Sequence, residues 1–285
     1  MRLCRFQNSR NEVRIGLVRD DQTILDLTAL GIERLSALLE SEEPVRLLED
    51  LVSKNPPSCR CAEVRLLTPV ERQEVWAAGV TYLRSKKARM EESDFSASAY
   101  DRVYEADRPE LFFKSLPEKV VASNEPVGIR KDARWNVPEP ELVLVINSHG
   151  RIAGYSIGND MSSRDIEGEN TLYLPQAKVY HRSCAVGPVI RLGAAETEAR
   201  TWKIELRVRR GGVIAFAGET SVGQIKRSLT ELADYLFRSQ VFPHGAVLLT
   251  GTGIVPPDDF SLQVGDEVAI HISGIGDLTN RVVQV

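Results

Sequence analysis

Short apolar runs separated by turn residues dominate the chain from about residue 72 to its end. Turn signals such as His149-Gly150 and Gly211-Gly212 lie between several of these runs. The pattern predicts a strand-rich domain. We expect its strands at 74–78, 111–114, 142–146, 152–158, 185–189, 204–209, 213–218, 268–273 and 281–285.

The first part of the chain has a different pattern. Strands are expected at 2–6 and 13–18, and leucines recur at helical spacing between Leu35 and Leu51. A break at 54–58 contains Pro56-Pro57, and a connecting strand is expected at 64–67. We therefore predict a small N-terminal α/β domain over residues 1–68 and a larger domain over 69–285. The leucine spacing at 228–239 predicts one exposed helix.

Charge and composition narrow the classes of partner. Net charge is −4, from 36 basic and 40 acidic residues. This balance gives no general reason to expect nucleic acid or a membrane surface as a partner. Arg2 and Arg5 are followed by polar residues, and no apolar run approaches the ~20 residues that span a bilayer. We expect a cytoplasmic protein whose thiols are reduced, namely Cys4, Cys59, Cys61 and Cys184.

Three carboxylates are the strongest chemical signal. Glu139 and Glu141 flank Pro140 in front of an apolar run, and Asp160 follows Asn159 after the next run. Residues i and i+2 of a strand share a face, so the two glutamates concentrate charge unless a cation is present. Oxygen ligands suit Mg²⁺, Mn²⁺ or Ca²⁺. The alternative is that the glutamates are solvated and Asp160 caps a helix that begins near residue 162.

Other polar side chains have equally open interpretations. Glu110 and Lys114 lie at the two ends of a predicted buried strand and share one of its faces, as an ion pair or as functional groups. Lys178 lies between two turns, where a surface lysine is the simpler interpretation. Thr252 is flanked by glycines after an apolar run; its loop is either a plain turn or an anion site built from backbone amides.

Taken together and in order, these motifs resemble the fumarylacetoacetate hydrolase superfamily, from about residue 72 to the end. The resemblance implies an α+β, mostly β fold, in which a small N-terminal α/β domain precedes a large mixed β-sandwich roll. It also implies that Glu139, Glu141 and Asp160 bind Mg²⁺, with Mn²⁺ or Ca²⁺ as possible substitutes. The motifs are PEPEL at 138–142, GYSIGNDMSSRD at 154–165, Gly187-Pro188, GTG at 251–253 and the glycine-rich ending at 265–280.

Within this superfamily, three segments resemble most the dehydratases that act on 2-keto-3-deoxy sugar acids. These segments are 76–82, 103–114 and 169–180. The hydrolases of the superfamily use a histidine in or near a lid to activate water. This chain has no histidine between Gly79 and Glu110, and Thr81 is near the position of an aspartate ligand of the hydrolases. The lid itself is expected in the polar stretch 86–104. These departures favour dehydration over carbon–carbon hydrolysis.

The resemblance then implies a function. We expect a Mg²⁺-dependent hydro-lyase that converts 2-dehydro-3-deoxy-D-arabinonate into 2,5-dioxopentanoate, in oxidative pentose degradation. Lys178 is the expected base, since a nearby divalent cation disfavours its charged form, and Glu110 is expected to act on the leaving hydroxyl. The two roles could be reversed.

Four further residues complete the expected site. Thr252 is expected to hold the substrate carboxylate. Lys114, Arg108 and Thr81 are expected to contact the substrate or to support the site. The expected partners are a small 2-keto acid and further copies of this chain, in a dimer or a dimer of dimers.

Two other functions remain open at this point. One is an acylpyruvate or diketo-acid hydrolase or an oxaloacetate decarboxylase, which would share the metal site and differ in the bond that breaks. The other is a metal-dependent binding module without catalysis.

Overall fold

The computed structural model describes residues 1–20, 22–83 and 102–285, and strands outweigh helices among them. This confirms the mostly β prediction. The strands are β1 (Arg2–Gln7), β2 (Val13–Val18), β3 (Thr23–Asp26), β4 (Ser58–Arg60), β5 (Arg65–Leu67), β6 (Glu74–Gly79), β7 (Glu110–Ser115), β8 (Val127–Ile129), β9 (Asn136–Val137), β10 (Pro140–Ile146), β11 (Ile152–Asp160), β12 (Ser162–Ser163), β13 (Cys184–Leu192), β14 (Lys203–Arg210), β15 (Val213–Ser221), β16 (Ala246–Leu249), β17 (Glu267–Ile272) and β18 (Gly276–Gln284).

Helices are short and lie mostly in the connections. The predicted lid at 86–104 falls outside the described residues as far as 101, and residues 102–105 are helical. None of the helices in the described ranges is long and apolar enough to cross a membrane. The other α-helices are α1 (Ser36–Leu39), α2 (Pro44–Ser53), α3 (Arg164–Glu169), α4 (Leu174–Lys178), α5 (Glu196–Ala199) and α6 (Leu229–Phe237).

Two sheets pack against each other. The larger sheet has the strand order β4-β3-β2-β1-β13-β11-β10-β16-β6-β7, and β5 pairs with β1. The smaller sheet has the order β15-β14-β17-β18-β8. Their facing side chains form one apolar core, in which Leu142 and Leu144 of β10 lie with Leu206 of β14 and Ile270 of β17.

The N-terminal strands belong to the larger sheet. The first half of β1 pairs with β13, and its second half pairs with β5. A second apolar core under α1 and α2 includes Val145, Ile190 and Leu192 from the later part of the chain. The sheet therefore runs across residue 68, and the proposed division into domains 1–68 and 69–285 stays a prediction.

Two local predictions differ from the structure. The helix predicted as exposed is α6, and it buries Leu229, Leu232 and Leu236 against the main core because its apolar side faces the sheets. The last strand begins at Gly276 rather than near residue 281. Its polar Asn280 is tolerated inside the fold because the side-chain amide donates to the carbonyls of Ala122 and Glu125.

Candidate functional site

The antiparallel pair β10–β11 brings the three predicted carboxylates together. Glu139 directly precedes β10, Glu141 lies within it, and Asp160 ends β11. Because Pro140 pairs with Asn159, the start of β10 lies beside the end of β11. All three side chains are buried, and each offers an oxygen within 4.8 Å of the others. Asp160 is a strand residue and Ser163 is the N-cap of α3, so Asp160 is not a helix cap.

Three buried cations surround two of these carboxylates. Arg164 Nη2 donates to Glu139 Oε1 at 2.8 Å. Lys178 Nζ lies 2.7 Å from Glu139 Oε2 and 3.3 Å from Asp160 Oδ2. Lys114 Nζ lies 2.5 Å from Asp160 Oδ1. The burial of these acids is therefore offset in part by positive charge supplied by the chain itself.

The third carboxylate, that of Glu141, has a different environment. It accepts a hydrogen bond of 2.6 Å from the backbone amide of Gly251. Burial, followed by the negative charges of Asp160 and Glu139, raises the pKa of Glu141 well above its ordinary value. A further cation at this point would relieve that repulsion.

The donor set fits a hard divalent cation. All three groups are carboxylates, which magnesium and similar ions prefer to nitrogen or sulfur ligands. Burial and then the negative charges of Asp160 and Glu139 raise the pKa of Glu141, and the positive charge of Lys178 opposes them. The residues present are thus able to hold a metal ion.

Lys178 is buried, against the simpler expectation of a surface lysine. It is the last residue of α4, and its Nζ donates to Ser162 Oγ at 2.6 Å in addition to the two carboxylates. The ring of Phe112 lies 5.9 Å from the same nitrogen. The amine is therefore held in one position next to the carboxylates.

Lys114 is fully buried and makes three contacts with oxygen. Besides Asp160, its Nζ donates to the carbonyls of Met161 and Lys178. An ammonium group has three hydrogens to donate, and protein oxygens take all three here. This arrangement favours the supporting role predicted for Lys114 over direct contact with a substrate.

Glu110 lies on the same face of β7 as Phe112, because alternate residues of a strand share a face. Its partner in β6 is Gly79. A Cβ atom on Gly79 would lie 1.9 Å from Glu110 Oε2, so the carboxylate occupies the space that the glycine leaves open. Gly79 thus leaves the space in which the Glu110 carboxylate lies.

Gly79→Ala is expected to lower turnover about 10- to 100-fold, because the new methyl group displaces the Glu110 carboxylate by an ångström or more. The free energy of unfolding should change little, since the displaced atoms end a flexible side chain. Steady-state kinetics and urea unfolding measure the two effects. In a Glu110→Gln background the same substitution should add no further loss. An additive loss would show that Gly79 acts by another route.

Thr81 and Thr252 lie in the loops beside Glu141. Thr81 Oγ1 donates to the carbonyl of Thr250 at 2.6 Å, which fixes the start of the loop that supplies the Gly251 amide. Thr252 Oγ1 accepts from the amide of Ile254 at 3.2 Å. The Gly251 amide is therefore used by Glu141, and the roles of Thr81 and Thr252 in substrate binding stay predictions.

Thr81→Val should lower the free energy of unfolding by about 1–2 kcal/mol, because the Thr250 carbonyl loses a buried donor. Thr81→Ser keeps the hydroxyl and serves as the matched control. Urea unfolding without added metal measures both variants. Equal stability of the valine variant and the wild type would contradict a structural role for this hydroxyl.

Arg108 lines a cavity together with Glu110. It is exposed, and its guanidinium carbon is 5.7 Å from the centre of the Tyr235 ring. Arg227 donates to the carbonyl of Asp107 at 2.9 Å, which fixes the chain just before Arg108. Its contact with a substrate stays a prediction.

Sequence reasoning missed two residues that hold the site together. Arg164 lies in the recognised 154–165 motif, but its pairing with Glu139 depends on the turn from β12 into α3. Ser162 contacts Lys178 across 16 residues. The position of Arg164 next to an acidic motif was a signal that it could pair with a carboxylate. Nothing in the local sequence indicated the contact between Ser162 and Lys178.

The family model for the C-terminal domain of fumarylacetoacetate hydrolase matches residues 74–283. The chain belongs to the fumarylacetoacetate hydrolase family. The matched segment contains all nine predicted site residues. Family membership accounts for the observed two-sheet architecture, while the roles of single residues remain to be tested.

Two curated relatives of this family member are similar over most of their length. A probable 2-keto-3-deoxyxylonate dehydratase of Haloferax volcanii is 46% identical over 217 residues, which is 76% of this chain and 74% of the relative. The 2-dehydro-3-deoxy-D-arabinonate dehydratase of Saccharolobus solfataricus is 36% identical over 273 residues, covering 93% and 91% of the two chains.

A solved structure gives the same picture of the fold. It is a 2-keto-3-deoxy-D-arabinonate dehydratase complexed with magnesium and 2,5-dioxopentanoate. Its sequence is 34% identical, its TM-score with this chain is 0.83, and the match covers 100% of this chain and 99% of the other. The whole chain, including its N-terminal part, thus has a counterpart in one solved protein.

Proposed function

We propose that this protein is a Mg²⁺-dependent dehydratase that removes water from a 2-keto-3-deoxy sugar acid. The preferred substrate is 2-dehydro-3-deoxy-D-arabinonate and the product is 2,5-dioxopentanoate, in oxidative pentose degradation. One observation carries the proposal: the buried amine of Lys178 lies within 3.3 Å of two carboxylates of the buried acidic triad. Relatives that are 36% and 46% identical and are named as dehydratases of such acids support it.

The two relatives are named for two different sugar acids, but both names describe the same compound within one D or L series. In a 2-keto-3-deoxypentonate, C2 is a ketone and C3 is a methylene group, so C4 is the only remaining stereocentre. The arabinonate and xylonate derivatives of the same D or L series are therefore one compound. Substrate stereochemistry reduces to one question, the configuration at C4, which a pair of enantiomers answers.

Glu139, Glu141 and Asp160 would hold the metal ion. When bound, Mg²⁺ would supply Lewis-acid polarisation of the 2-keto group and so acidify the protons on C3. Arg164 and Lys114 keep Glu139 and Asp160 oriented through their own contacts at 2.8 and 2.5 Å. The chain's own contacts thereby orient these carboxylates.

In this proposal Lys178 takes a proton from C3 and Glu110 gives a proton to the hydroxyl that leaves C4 as water. The unsaturated acid that remains is an isomer of 2,5-dioxopentanoate and converts into it by proton transfers alone. Ser162 contacts Lys178 Nζ, and Gly79 leaves the space that the Glu110 carboxylate occupies. Glu110 points to the same side of β7 as Phe112, and the Phe112 ring lies 5.9 Å from Lys178 Nζ. The proposed base and the proposed acid therefore lie on the same side of β7.

The other site residues have distinct proposed roles. Thr252 would bind the substrate carboxylate from the loop that follows β16, and Arg108 would approach the hydroxyl end from the cavity that it lines with Glu110. Thr81 would support the loop after β16 through its hydrogen bond to the Thr250 carbonyl. Lys114 would orient the carboxylate of Asp160.

Turnover of 2-keto-3-deoxy-D-arabinonate by the purified full chain with Mg²⁺ tests the proposal. A coupled dehydrogenase that consumes 2,5-dioxopentanoate follows the product, and excess EDTA should abolish the rate. Acylpyruvate and oxaloacetate assayed in parallel separate dehydration from hydrolysis and decarboxylation. A product formed only from one of those two acids would replace the dehydratase proposal. Tight binding of the sugar acid without turnover would indicate a binding module.

The expected assembly into a dimer or a dimer of dimers stays a prediction. Sedimentation equilibrium of the purified chain measures it, and a monomer at micromolar concentration would contradict it.

A further inference from the structure

One arginine side chain holds the stretch of chain that enters β7. Arg227 Nη1 donates to the carbonyl of Asp107 at 2.9 Å, and its Nη2 donates to the carbonyl of Ala106. A guanidinium group presents its donors in a rigid fork, so these two adjacent carbonyls are held in one geometry. Glu110, the proposed acid, follows Asp107 by three residues. Arg227 is therefore tied to the entry of the strand that carries Glu110.

The connection between the held carbonyls and Glu110 is short and stiff. It consists of Arg108 and Pro109. The proline ring fixes its own φ angle and restricts the residue before it to extended conformations. Pro109 is also buried, and Glu110 pairs directly with Gly79 of β6. Few bond rotations are thus available to absorb a displacement of the held carbonyls.

The fold holds Arg227 itself in place. This residue directly precedes Ser228, the N-cap of α6. Arg200 Nη1 donates to the carbonyl of Ile225 at 3.1 Å, and its Nη2 donates to the carbonyl of Arg227 at 2.5 Å. Glu231 of α6 accepts from Arg227 Nη1 at 2.6 Å, and the arginine side chain is 10% exposed. The entry to β7 is therefore attached to the base of α6.

The residue before Arg227 contacts the opposite side of the site. The backbone amide of Lys226 donates to the carbonyl of Thr81 at 3.0 Å. Its Nζ donates to the carbonyl of Tyr104 at 2.6 Å and pairs with Glu105 at 2.8 Å. Two consecutive residues thus contact both the loop beside the acidic triad and the chain that leads into β7.

We propose that Arg227 is a positioning residue of the dehydration, which holds the Glu110 carboxylate where it acts on the C4 hydroxyl. This inference rests on the proposed dehydratase function. The donors of Arg227 reach main-chain carbonyls in front of β7, whereas Arg164, Lys114 and Lys178 contact the carboxylates of the triad. Its effect on the reaction therefore passes through the backbone to Glu110.

The simpler interpretation is a surface contact that only stabilises the fold. Ala106 and Asp107 are exposed, so water can replace the donors of Arg227, and the free energy of unfolding should change little without them. Water does not attach the chain to α6, however, and a displacement of about 1 Å near a reacting group can cost about 100-fold in rate. The two interpretations therefore differ in the expected effect on catalysis.

Arg227→Met should lower kcat for 2-keto-3-deoxy-D-arabinonate about 10- to 100-fold and leave Mg²⁺ binding, measured by calorimetry, unchanged. Arg227→Lys has a single donor group in place of the fork and should lose part of the rate, which covers a methionine variant that fails to fold. Arg207→Met is the matched control, because this exposed arginine of β14 also pairs with a glutamate, at 2.7 Å, and should keep full turnover.

Two further measurements distinguish positioning from damage to the fold. Deuterium exchange into the methyl group of pyruvate with Mg²⁺ should follow the same pattern in Arg227→Met as in Glu110→Gln. With Lys178 as the base, both variants keep this exchange while dehydration falls. In a Glu110→Gln background, Arg227→Met should add no further loss of dehydration, because the group that it positions is already absent.

The outcomes separate this inference from the function beneath it. A wild-type protein that dehydrates no 2-keto-3-deoxy sugar acid overturns both. If the wild type is active, wild-type kcat in Arg227→Met overturns only the role of Arg227. So does an additive loss in the Glu110→Gln background, a loss of Mg²⁺ binding, or pyruvate exchange that departs from that of Glu110→Gln, because each of these indicates an effect that does not pass through Glu110.

Discussion

Glu141→Gln is expected to lower Mg²⁺-dependent turnover by about 10³-fold or more, equivalent to roughly 4 kcal/mol of transition-state stabilisation. The amide keeps the shape of the side chain and can still accept the hydrogen bond from Gly251. It removes one negative charge from the triad, which weakens binding of a divalent cation.

The stability of this variant distinguishes a lost metal ligand from a damaged fold. Burial and the charges of Asp160 and Glu139 raise the pKa of Glu141, so replacing its carboxylate by a neutral amide should not lower the melting temperature without metal. Wild-type protein should gain stability with added Mg²⁺, and the variant should gain little. Glu219→Gln, an exposed change on β15, is the matched control. Undiminished turnover by Glu141→Gln would remove this residue from the metal site.

Lys178→Met is expected to reduce dehydration by about 10²- to 10⁴-fold, the usual contribution of a positioned proton-transfer group. Methionine fills a similar volume and has no exchangeable proton. Binding of Mg²⁺ measured by calorimetry should be retained, because Glu139 and Asp160 lose a competing ammonium at 2.7 and 3.3 Å. Lys203→Met, an exposed change on β14, controls for the loss of a lysine.

Deuterium exchange into pyruvate separates the roles of Lys178 and Glu110. Proton removal next to the keto group needs the base but no leaving hydroxyl. If Lys178 is the base, Lys178→Met loses the exchange, and Glu110→Gln keeps it while losing dehydration. The opposite pattern would exchange the two assignments, and full dehydration by Lys178→Met would exclude this lysine from the chemistry.

Local sequence indicated that Glu139, Glu141 and Asp160 lie together, because they lie in or next to two strands that are consecutive in sequence and pair in register. The choice of a metal site over the alternative of solvated glutamates and a helix cap came from the family resemblance. The burial of Lys178 could not be predicted from local sequence. Its contacts with Glu139 and Ser162 span 39 and 16 residues and depend on how α4 packs. Lys114 was noticed as a charge on a buried strand, but its carbonyl partners Met161 and Lys178 are set by tertiary structure.

The same limit explains the errors in secondary structure. The run from Gly276 to Asn280 is rich in turn-forming residues, so its strand became visible only through pairing with β17. The polarity of Asn280 is compensated by carbonyls near residue 122, which no local pattern reveals. For α6 the helix predicted from the leucine spacing was correct. Its leucines are buried because the helix packs against the core, which the local sequence does not show.

The position of β7 has a consequence for how the protein opens. The pair β10–β11 is interior to the larger sheet and is flanked by β13 and β16, whereas β7 ends the strand order with β6 as its neighbour. Interior strands exchange their amide hydrogens mainly through global unfolding, and end strands also through local opening. Lys114, near the other end of β7, ties that part of the strand to Asp160. Local opening should therefore be confined to the start of β7, and substitutions close to Glu110 could alter the reaction without dismantling the acidic triad.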